Sequence, residues 1–240
     1  MPLVAAAVCP HPPLLVPGVA GAAAGELDDL RAACDAAVAR LIAAEPELIL
    51  LVGAGPQSIA YHPAERGTLR VYGVDGDVRL WKVNCAGGER LPLSLTIGAW
   101  LIGRSRTELP RFARAVAADA PPPECARFGT ELLAEAAGHR VALLVMGDGS
   151  ACRGRHAPGY DDPRAQAYDD GVARALADAD AEALLGLDPQ LSAQLRVAGR
   201  APWQALAGAV QATDAPWRGE LTYHEAPYGV AYLVANWEPA

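Results

Sequence analysis

The sequence lacks the patterns that usually reveal nucleic-acid binding, structural zinc or secretion. No stretch concentrates Lys and Arg, and 20 basic against 28 acidic residues leave a net charge of −8, which argues against nucleic-acid binding. The five cysteines are scattered, odd in number and free of any CxxC pair, so neither a disulfide framework nor a zinc ribbon is indicated. Cysteines used in this way fit the reducing cytoplasm.

Targeting segments, enzyme motifs and repeats are also absent. The opening MPLVAAAVCP is apolar but has no basic residue, and it is shorter than the ~20 residues of a membrane span. We therefore expect no signal peptide, no transmembrane helix and no membrane partner. No GxSxG motif supports a hydrolase nucleophile. Without repeats or low-complexity linkers, and with 52% hydrophobic residues, the chain is predicted to form one domain over residues 1–240.

Short continuous apolar runs predict three strands that are buried on both faces: Leu3–Val8, Glu47–Val52 and Arg140–Met146. Apolar residues at helical spacing between the first two predict a crossover helix over Glu26–Ala44, hence parallel pairing. Other helices are predicted at Phe112–Ala118, Cys125–Ala137, Asp162–Ala177, Ala181–Leu185, Pro189–Val197 and Trp203–Val210.

The stretch from residue 68 to 102 has a different character. TLRVYGV, VRLWKV and LPLSLTIGAWLI are separated by Asp-Gly and Gly-Gly turns, which predicts further strands and allows a hairpin. Two last strands are predicted at Gly219–His224 and Tyr228–Ala235. The fold class is therefore α/β, with a central mixed, mainly parallel sheet flanked by helices. Ligands of such sheets bind beyond the carboxyl ends of the strands, at CPHPP, GAGPQS and GDGSACRGRH.

The first of these loops carries a histidine between prolines. Cys9 and His11 are two residues apart, so they point to the same side if the strand persists, and the prolines restrict the loop. This arrangement would preorganise His11 as a metal ligand. The alternative is a histidine that caps the sheet edge by hydrogen bonding.

The second loop, GAGPQS, is not a dinucleotide-binding turn. Ser58 stands where GxGxxG requires its last glycine, and Pro56 has no backbone N–H to offer a phosphate. His62, in AYHP, could reach the same site from a little further along the chain. The alternative is an exposed loop histidine.

The third loop places Asp148, Ser150, Cys152 and His156 within one segment. A cysteine and a histidine four residues apart can ligate a metal or form a thiolate pair. The alternative is a flexible polar loop without a bound ligand.

Near the carboxyl end, His224 and Glu225 are neighbours, so they face opposite sides of a strand. At most one of them belongs to a given site unless the chain bends at Pro227. Glu225 is either a metal ligand or a charge at the edge of the sheet.

Together, the motifs resemble those of one protein family along nearly the whole chain. In their order and spacing they are similar to the catalytic B subunit of class III extradiol ring-cleavage dioxygenases, whose fold is shared by the Memo-like proteins. The segments that carry the resemblance are CPHPPLLVPGV, ELILLVGAGPQS, LPLSLTIGAWLI, GDGSACRGRHAPGYDDPRAQAYDDGV, ALLGLDPQL and YHEAPYGVAYLVA.

The resemblance implies non-haem iron chemistry. Fe(II) would be held by two histidines and a carboxylate or third histidine, with open positions for a catecholate and O₂. A further histidine would act as acid and base during ring opening. His11 matches the first metal histidine, in the HPP loop, and Glu225 matches the carboxylate of a YEAP-like motif.

Two expected histidines are replaced. Gly55 stands where an SPHG-like turn would supply the second metal ligand, and Ala151 stands at the acid/base position of a GDLSHR-like motif. His62 and His156 lie seven and five residues beyond these positions and are the candidate catalytic substitutes, provided that their loops fold back.

The resulting expectation is a class III extradiol dioxygenase-like protein whose ancestral activity is metal-dependent ring cleavage of catechol-type aromatics. The alternative is a non-catalytic relative that binds a small molecule or a protein partner in the old cleft. Fe(II) is the expected cofactor of an active enzyme, zinc would suit a site with Cys9, Cys152 and His156, and a site without metal is the third option. Expected partners are a small aromatic substrate and a second copy or small second subunit.

Overall fold

A mixed sheet forms the centre of the structure, which is a computed structural model that describes residues 3–82, 90–136, 138–213 and 215–240. Within these ranges, seven strands pair in the order β3-β6-β2-β7-β1-β9-β8. Their bounds are β1 Leu3–Cys9, β2 Leu48–Gly55, β3 Ile59–Tyr61, β6 Arg111–Ala117, β7 Val141–Met146, β8 Trp217–Glu225 and β9 Tyr232–Pro239. Two short strands, β4 (Arg66–Thr68) and β5 (Asp77–Arg79), form a separate hairpin.

Strands β6, β2, β7 and β1 are parallel, so all four end at the same edge of the sheet. The strands that flank this group, β3 beside β6 and β9 beside β1, pair antiparallel to it. Because β8 pairs antiparallel to β9, it runs in the same direction as β1. The carboxyl end of β8 therefore lies at the same edge as that of β1.

Helices cover both faces of this sheet. Their bounds are α1 Pro17–Ala20, α2 Asp28–Ala43, α3 Leu93–Arg104, α4 Pro122–Glu135, α5 Arg164–Ala177, α6 Ala181–Leu185, α7 Pro189–Gln194 and α8 Arg200–Gln211. Short 3-10 turns cover Pro13–Leu15, Gly21–Leu27, Arg70–Tyr72 and Pro227–Gly229. None of the helices in the described ranges is long and apolar enough to cross a membrane.

The two faces of the sheet bury separate hydrophobic clusters. Alternate residues of β2 point to opposite faces: Ile49 and Leu51 pack with α2 and α3, whereas Leu50 and Val52 pack with α4, α5 and α8. The central strands consequently need apolar residues at successive positions, as is usual when both faces of a parallel sheet are covered. This is the physical reason for the continuous apolar runs in the sequence.

The predicted α/β class is confirmed, and so are the three buried strands, the crossover helix and the two carboxyl-terminal strands. The helices predicted in the regions of α4 to α8 are confirmed as well, with shifted ends. The Asp-Gly turn does close a hairpin, between β4 and β5. Val83 of the predicted VRLWKV strand, Cys85, the Gly-Gly turn and Ala137 of a predicted helix lie outside the described residues.

Three predicted elements are wrong. TLRVYGV is not a strand, because only Thr68 belongs to β4 and Arg70–Tyr72 form a 3-10 turn. LPLSLTIGAWLI is not a strand but lies in helix α3, whose residues are buried on most sides between β2, β7 and α2. Phe112–Ala118 is not a helix; residues 111–117 form β6, which pairs with both β2 and β3. A continuous apolar run suits either kind of element when it is buried on all sides, and tertiary pairing overrides the helix preference of an Ala-rich and Arg-rich segment. The short strand β3 was not predicted.

Candidate functional site at the carboxyl edge of the sheet

Strand register brings the first and third predicted loops together. Cys9 lies opposite Met146 in the parallel pair of β1 and β7, so His11 and Asp148 both stand two residues beyond the paired ends. Gly147 donates its N–H to the carbonyl of Cys9 at 2.9 Å, which extends the pairing. The two side chains therefore become neighbours although they are far apart in sequence.

His11 is buried against Asp148. The residue is 7% exposed, its backbone N–H donates to Asp148 Oδ1 at 2.7 Å, and its Nδ1 lies 3.5 Å from the same oxygen. Within the described ranges, Nδ1 is buried and makes no hydrogen bond, although Asp148 Oδ1 lies at ion-pair distance. Buried nitrogens are rarely left in this state, so the unpaired Nδ1 is the most informative atom of the site.

A backbone hydrogen bond from the segment before helix α8 also holds Asp148 in place. Its backbone carbonyl accepts the N–H of Gly199 at 2.8 Å, just before helix α8. The side chains of His11 and Asp148 are 9% and 15% exposed, so neither is fully closed off from solvent. The pair offers a proton acceptor beside a group that can give or take a proton.

Two tyrosines lie toward the same edge of the sheet, on β8 and β9. Tyr232 is 3% exposed and lies opposite Glu225 in the strand pair; burial and the nearby Asp148 raise the pKa of its phenol. The hydroxyl of Tyr223 donates to Glu225 Oε2 at 3.3 Å. Burial, followed by the charge of Glu225, raises the pKa of Tyr223 to about 12. Both phenols therefore stay neutral and can donate at neutral pH.

The turn after Glu225 adds a third tyrosine in an unusual backbone conformation. Tyr228 has φ +59° and ψ 18°, the left-handed region that bulky residues rarely occupy. Its hydroxyl donates to Glu26, in the 3-10 turn that precedes α2, and this bond raises the pKa of the phenol. The contact joins the β8–β9 turn to the segment that follows His11.

A buried carboxylate supports the third loop. Asp169 of α5 is fully buried and accepts bonds from Ser150 N at 2.8 Å and Ser150 Oγ at 2.6 Å. Arg153 Nη1 lies 3.3 Å from Oδ2, the same oxygen that accepts the Ser150 hydroxyl. Ser150 also accepts the N–H of Ala231 at 2.8 Å. These hydrogen bonds connect the loop to α5 and to the residue before β9.

The candidate catalytic histidines lie apart from His11. His62 is exposed and its Nδ1 accepts the N–H of Ala64 at 3.2 Å; it follows β3, which runs antiparallel to β6 and so leads away from the carboxyl edge. His156 is exposed in the third loop. Among the described residues, neither imidazole makes a hydrogen bond or an ion pair with His11.

Glu225 and His224 face opposite sides, as their adjacency predicts. Glu225 is exposed and bonded to Tyr223, whereas His224 points toward α5, with Nε2 4.0 Å from Asp170 Oδ1. Glu225 reaches the same sheet edge as His11, but β9 lies between their strands, which places the two backbones about 10 Å apart.

The thiols do not form the zinc or thiolate site considered from sequence. Cys9 packs in the cluster beneath α2 and α3, together with Cys34, whereas Cys152 belongs to a third cluster with Ala165 and Leu195. All four described cysteines are free and buried. Hydrogen bonding to Cys9, with burial, raises the pKa of Cys34, and burial raises the pKa of Cys125 and Cys152.

These pKa directions predict low thiol reactivity. Because a raised pKa lowers the thiolate fraction at a given pH, and because burial blocks access, Cys34, Cys125 and Cys152 should react with iodoacetamide at least about tenfold more slowly in native than in urea-unfolded protein. Peptide mass spectrometry at pH 8 would measure the rate at each cysteine separately. Native labelling of Cys152 at the unfolded rate would contradict the buried placement.

The residues at this edge do not fit an Fe(II) centre. In the described ranges, no three His, Cys, Asp or Glu side chains are grouped so that they could hold a metal ion. A β-carbon at Gly55 would lie 2.8 Å from that of Ala115, so β6 occupies the space a histidine would need there. One imidazole and one distant carboxylate supply too few ligands for the usual iron site.

Several members of the site were not singled out from sequence. Tyr223, Tyr232, Tyr228 and Asp169 reach the site only through pairing of β8 and β9 or through packing of α5. One signal was available: Tyr223 and Glu225 are two residues apart, so they share a face of the strand. No local pattern marked Asp169.

Comparisons with known proteins support the architecture. No family model matches the chain, and no curated protein matches it. Among solved structures, the chain is similar to an uncharacterized protein, JW3007, from Escherichia coli K12, with 13% identity and a TM-score of 0.52. The similarity covers 98% of this chain and 99% of that one. At this identity the likeness shows a shared fold and nothing about activity.

Proposed function

We propose that this protein is a relative of the class III extradiol dioxygenases that binds a small hydroxylated aromatic molecule at the His11–Asp148 pair without cleaving its ring. The observation that carries the proposal is the buried, unpartnered Nδ1 of His11 beside a carboxylate. A ligand hydroxyl would supply the missing hydrogen bond. The order of motifs along the sequence supports the family relation.

The surrounding groups suit a phenolic ligand. A phenol or catechol hydroxyl can donate to Asp148 or to an unprotonated imidazole nitrogen, and it can accept from a protonated one. Tyr223, which is half-buried, supplies neutral aromatic surface at the same edge, and aromatic rings favour offset or edge contacts with one another. The ligand would thus be recognised by its hydroxyl at one end and its ring at the other.

The donor set argues against ring cleavage. In the related enzymes, iron would hold the diol and O₂ side by side, but here the positions of the second ligand and the acid/base histidine are Gly55 and Ala151. His62 and Glu225 would both have to move toward His11 to complete a three-ligand set. We derive no catalytic step from the residues in their present places.

Binding can be tested by titrating the protein with catechol and with its saturated diol analogue. We expect catechol to bind more tightly, and His11→Gln to weaken catechol binding about tenfold, the effect of losing one hydrogen bond with a buried partner. Isothermal titration calorimetry measures both. His139→Gln is the matched control, because His139 is exposed and lies next to Glu47, before β2.

Catechol binding that is unchanged by His11→Gln, or no catechol binding at all, would overturn the proposal. Oxygen uptake separates it from the enzymatic hypothesis: protein loaded anaerobically with Fe(II) should consume no O₂ with catechols. Oxygen uptake that is lost in His11→Gln and retained in His139→Gln would instead establish dioxygenase activity. In that case Glu225 and a recruited His62 or His156 would be the ligands to examine next.

The proposal includes the setting in which the protein works. The free thiols of the described cysteines support a cytoplasmic location, since buried cysteines there remain reduced. As in related proteins, a second copy or a small second subunit would complete the assembly. Fractionation and light scattering of the purified protein would test these two statements.

A further inference from the structure

A cavity lies at the edge of the sheet opposite to the edge that carries His11. It has a volume of about 450 Å³, within the range of small-molecule sites. Arg111, the first residue of β6, stands in its wall, so the cavity is at the amino end of a strand whose carboxyl end faces the other edge. The charged and aromatic residues of the wall are Arg79, Trp81, Lys82, Arg106, Glu108 and Arg111.

The cavity is strongly cationic although the protein is acidic. Four of its residues are Lys or Arg and one is Glu, in a chain with a net charge of −8. Lys82 pairs with Glu108 at 2.7 Å. Among the described residues, Arg79, Arg106 and Arg111 have no carboxylate partner within 4.0 Å. Four positive charges and the one negative charge of Glu108 therefore leave the described wall of this cavity with a net positive charge, and such focusing attracts anions.

Arg111 is the unusual member of this set. The residue is 7% exposed, and its Nη2 donates to the carbonyl of Thr107 at 2.8 Å. Its Nε is buried and finds no acceptor in the part of the chain that the structure describes. Burial lowers the pKa of its guanidinium, and the charge of Glu108 acts in the opposite direction. A buried guanidinium with an idle donor is costly unless an anion completes its bonds.

The other walls favour a ligand larger than an inorganic ion. Trp81 offers an aromatic surface, and the Thr107 hydroxyl, which accepts the N–H of Leu109 at 3.3 Å, still has its own proton to donate. The last carbonyls of α3 do not repel an anion strongly, because those of Ile102 and Gly103 already accept the N–H groups of Ser105 and Arg106.

We propose that this cavity is a binding site for a small organic molecule that carries a phosphate group, with the phosphate on the idle donor of Arg111 and a planar group against Trp81. Arg79 and Arg106, which are exposed at its rim, would guide the anion in. The site is separate from the His11–Asp148 pair, so its test is independent of the proposed function.

The test is calorimetric titration in phosphate-free buffer of low ionic strength with a nucleoside monophosphate, with pyrophosphate and with orthophosphate. We expect Arg111→Gln to weaken binding of the nucleotide by about tenfold or more, since a charge-assisted hydrogen bond is lost. Added salt should weaken binding in wild type. Arg174→Gln, which removes an equal charge from an exposed position of α5, should leave the affinity unchanged.

Because Arg111 is buried, its substitution also perturbs the fold, so the double variant Arg79→Gln with Arg106→Gln provides a second test at exposed positions. We expect it to weaken binding and to leave the unfolding midpoint unchanged. Nucleotide binding that survives both substitutions, or no phosphate compound binding at millimolar concentration, would overturn the proposal. Equal affinity for the nucleotide and for orthophosphate would support the phosphate site but identify the free ion as its ligand.

Discussion

Gly129→Ala should destabilise the protein by about 3 kcal/mol or more, because helices α4 and α8 cross with their backbones in direct contact. A β-carbon at Gly129 would overlap the carbonyl oxygen of Ala205 and lie 2.7 Å from Ala209 N. No side-chain rotation can relieve a collision with backbone atoms. The two helices would have to separate, and their shared core would open.

The same crossing is tight from the other side. A β-carbon at Gly208 of α8 would overlap the carbonyl of Ala126 and lie 2.6 Å from its α-carbon. Thr130 Oγ1 reaches the carbonyl of Gly208 at 3.4 Å. Reciprocal glycines with alanine neighbours thus allow the close approach, and substitution of either glycine should have a similar effect.

Urea unfolding measures the change in the free energy of unfolding. Gly171→Ala in α5 is the matched control, because a β-carbon there meets only Arg174 Nη2 at 3.9 Å. Alanine has the higher helix propensity, so this control should gain about 0.5–1 kcal/mol. If Gly129→Ala unfolds at the same urea concentration as wild type, the helices are not in backbone contact.

Asp169→Ala should cost about 3 kcal/mol, the second largest effect that we expect. The substitution leaves the N–H and hydroxyl of Ser150 without their acceptor in a fully buried place. It also removes the carboxylate beside Arg153. Asp169→Asn keeps an acceptor oxygen and should lie between alanine and wild type.

The neighbouring carboxylate provides the control. Asp170 is 41% exposed in its side chain and reaches only His224, at 4.0 Å, so Asp170→Ala should change stability by less than about 0.5 kcal/mol. Thermal unfolding of the three variants beside wild type gives the comparison. Equal midpoints for Asp169→Ala and Asp170→Ala would mean that the Asp169 bonds contribute nothing to the folded state.

Loop order is the functional consequence of this carboxylate. Ser150 follows Asp148 by two residues, and Gly149 between them donates its N–H to Ala231 at 2.8 Å. Loss of Asp169 should therefore loosen the segment that holds Asp148 beside His11. Hydrogen exchange of the loop amides would detect this change even where global stability is little affected.

Local sequence patterns were sufficient to predict the strands that are covered on both faces. Continuous apolar runs identified β1, β2 and β7, since a strand covered on both faces has no polar side. The same kind of run gave a wrong prediction at LPLSLTIGAWLI. Helix α3 is also surrounded by apolar neighbours, so its sequence shows no helical period of apolar and polar residues. At Phe112–Ala118 the Ala and Arg content favours a helix, but the segment forms a strand because it pairs with β2 on one side and β3 on the other.

The residues of the candidate site were likewise only partly predictable from the sequence. The prolines around His11 and the polar loop after β7 were visible in the sequence, and the parallel fold placed them at one edge. Their partners were not visible. Asp169 comes from α5, and Tyr232 comes from β9, at long sequence distance, so no local spacing indicates them.

By itself, the sequence determined the α/β class, the buried parallel strands and the loops in which a ligand site would form, because these follow from periodicity and from the direction of parallel strands. Only the tertiary structure decided which polar groups meet there. It joined His11 to Asp148, separated both from His62, closed the space at Gly55 against Ala115, and left Arg111 with an idle donor at the other edge. Such contacts depend on register and packing between distant segments, and neither leaves a local mark in the chain.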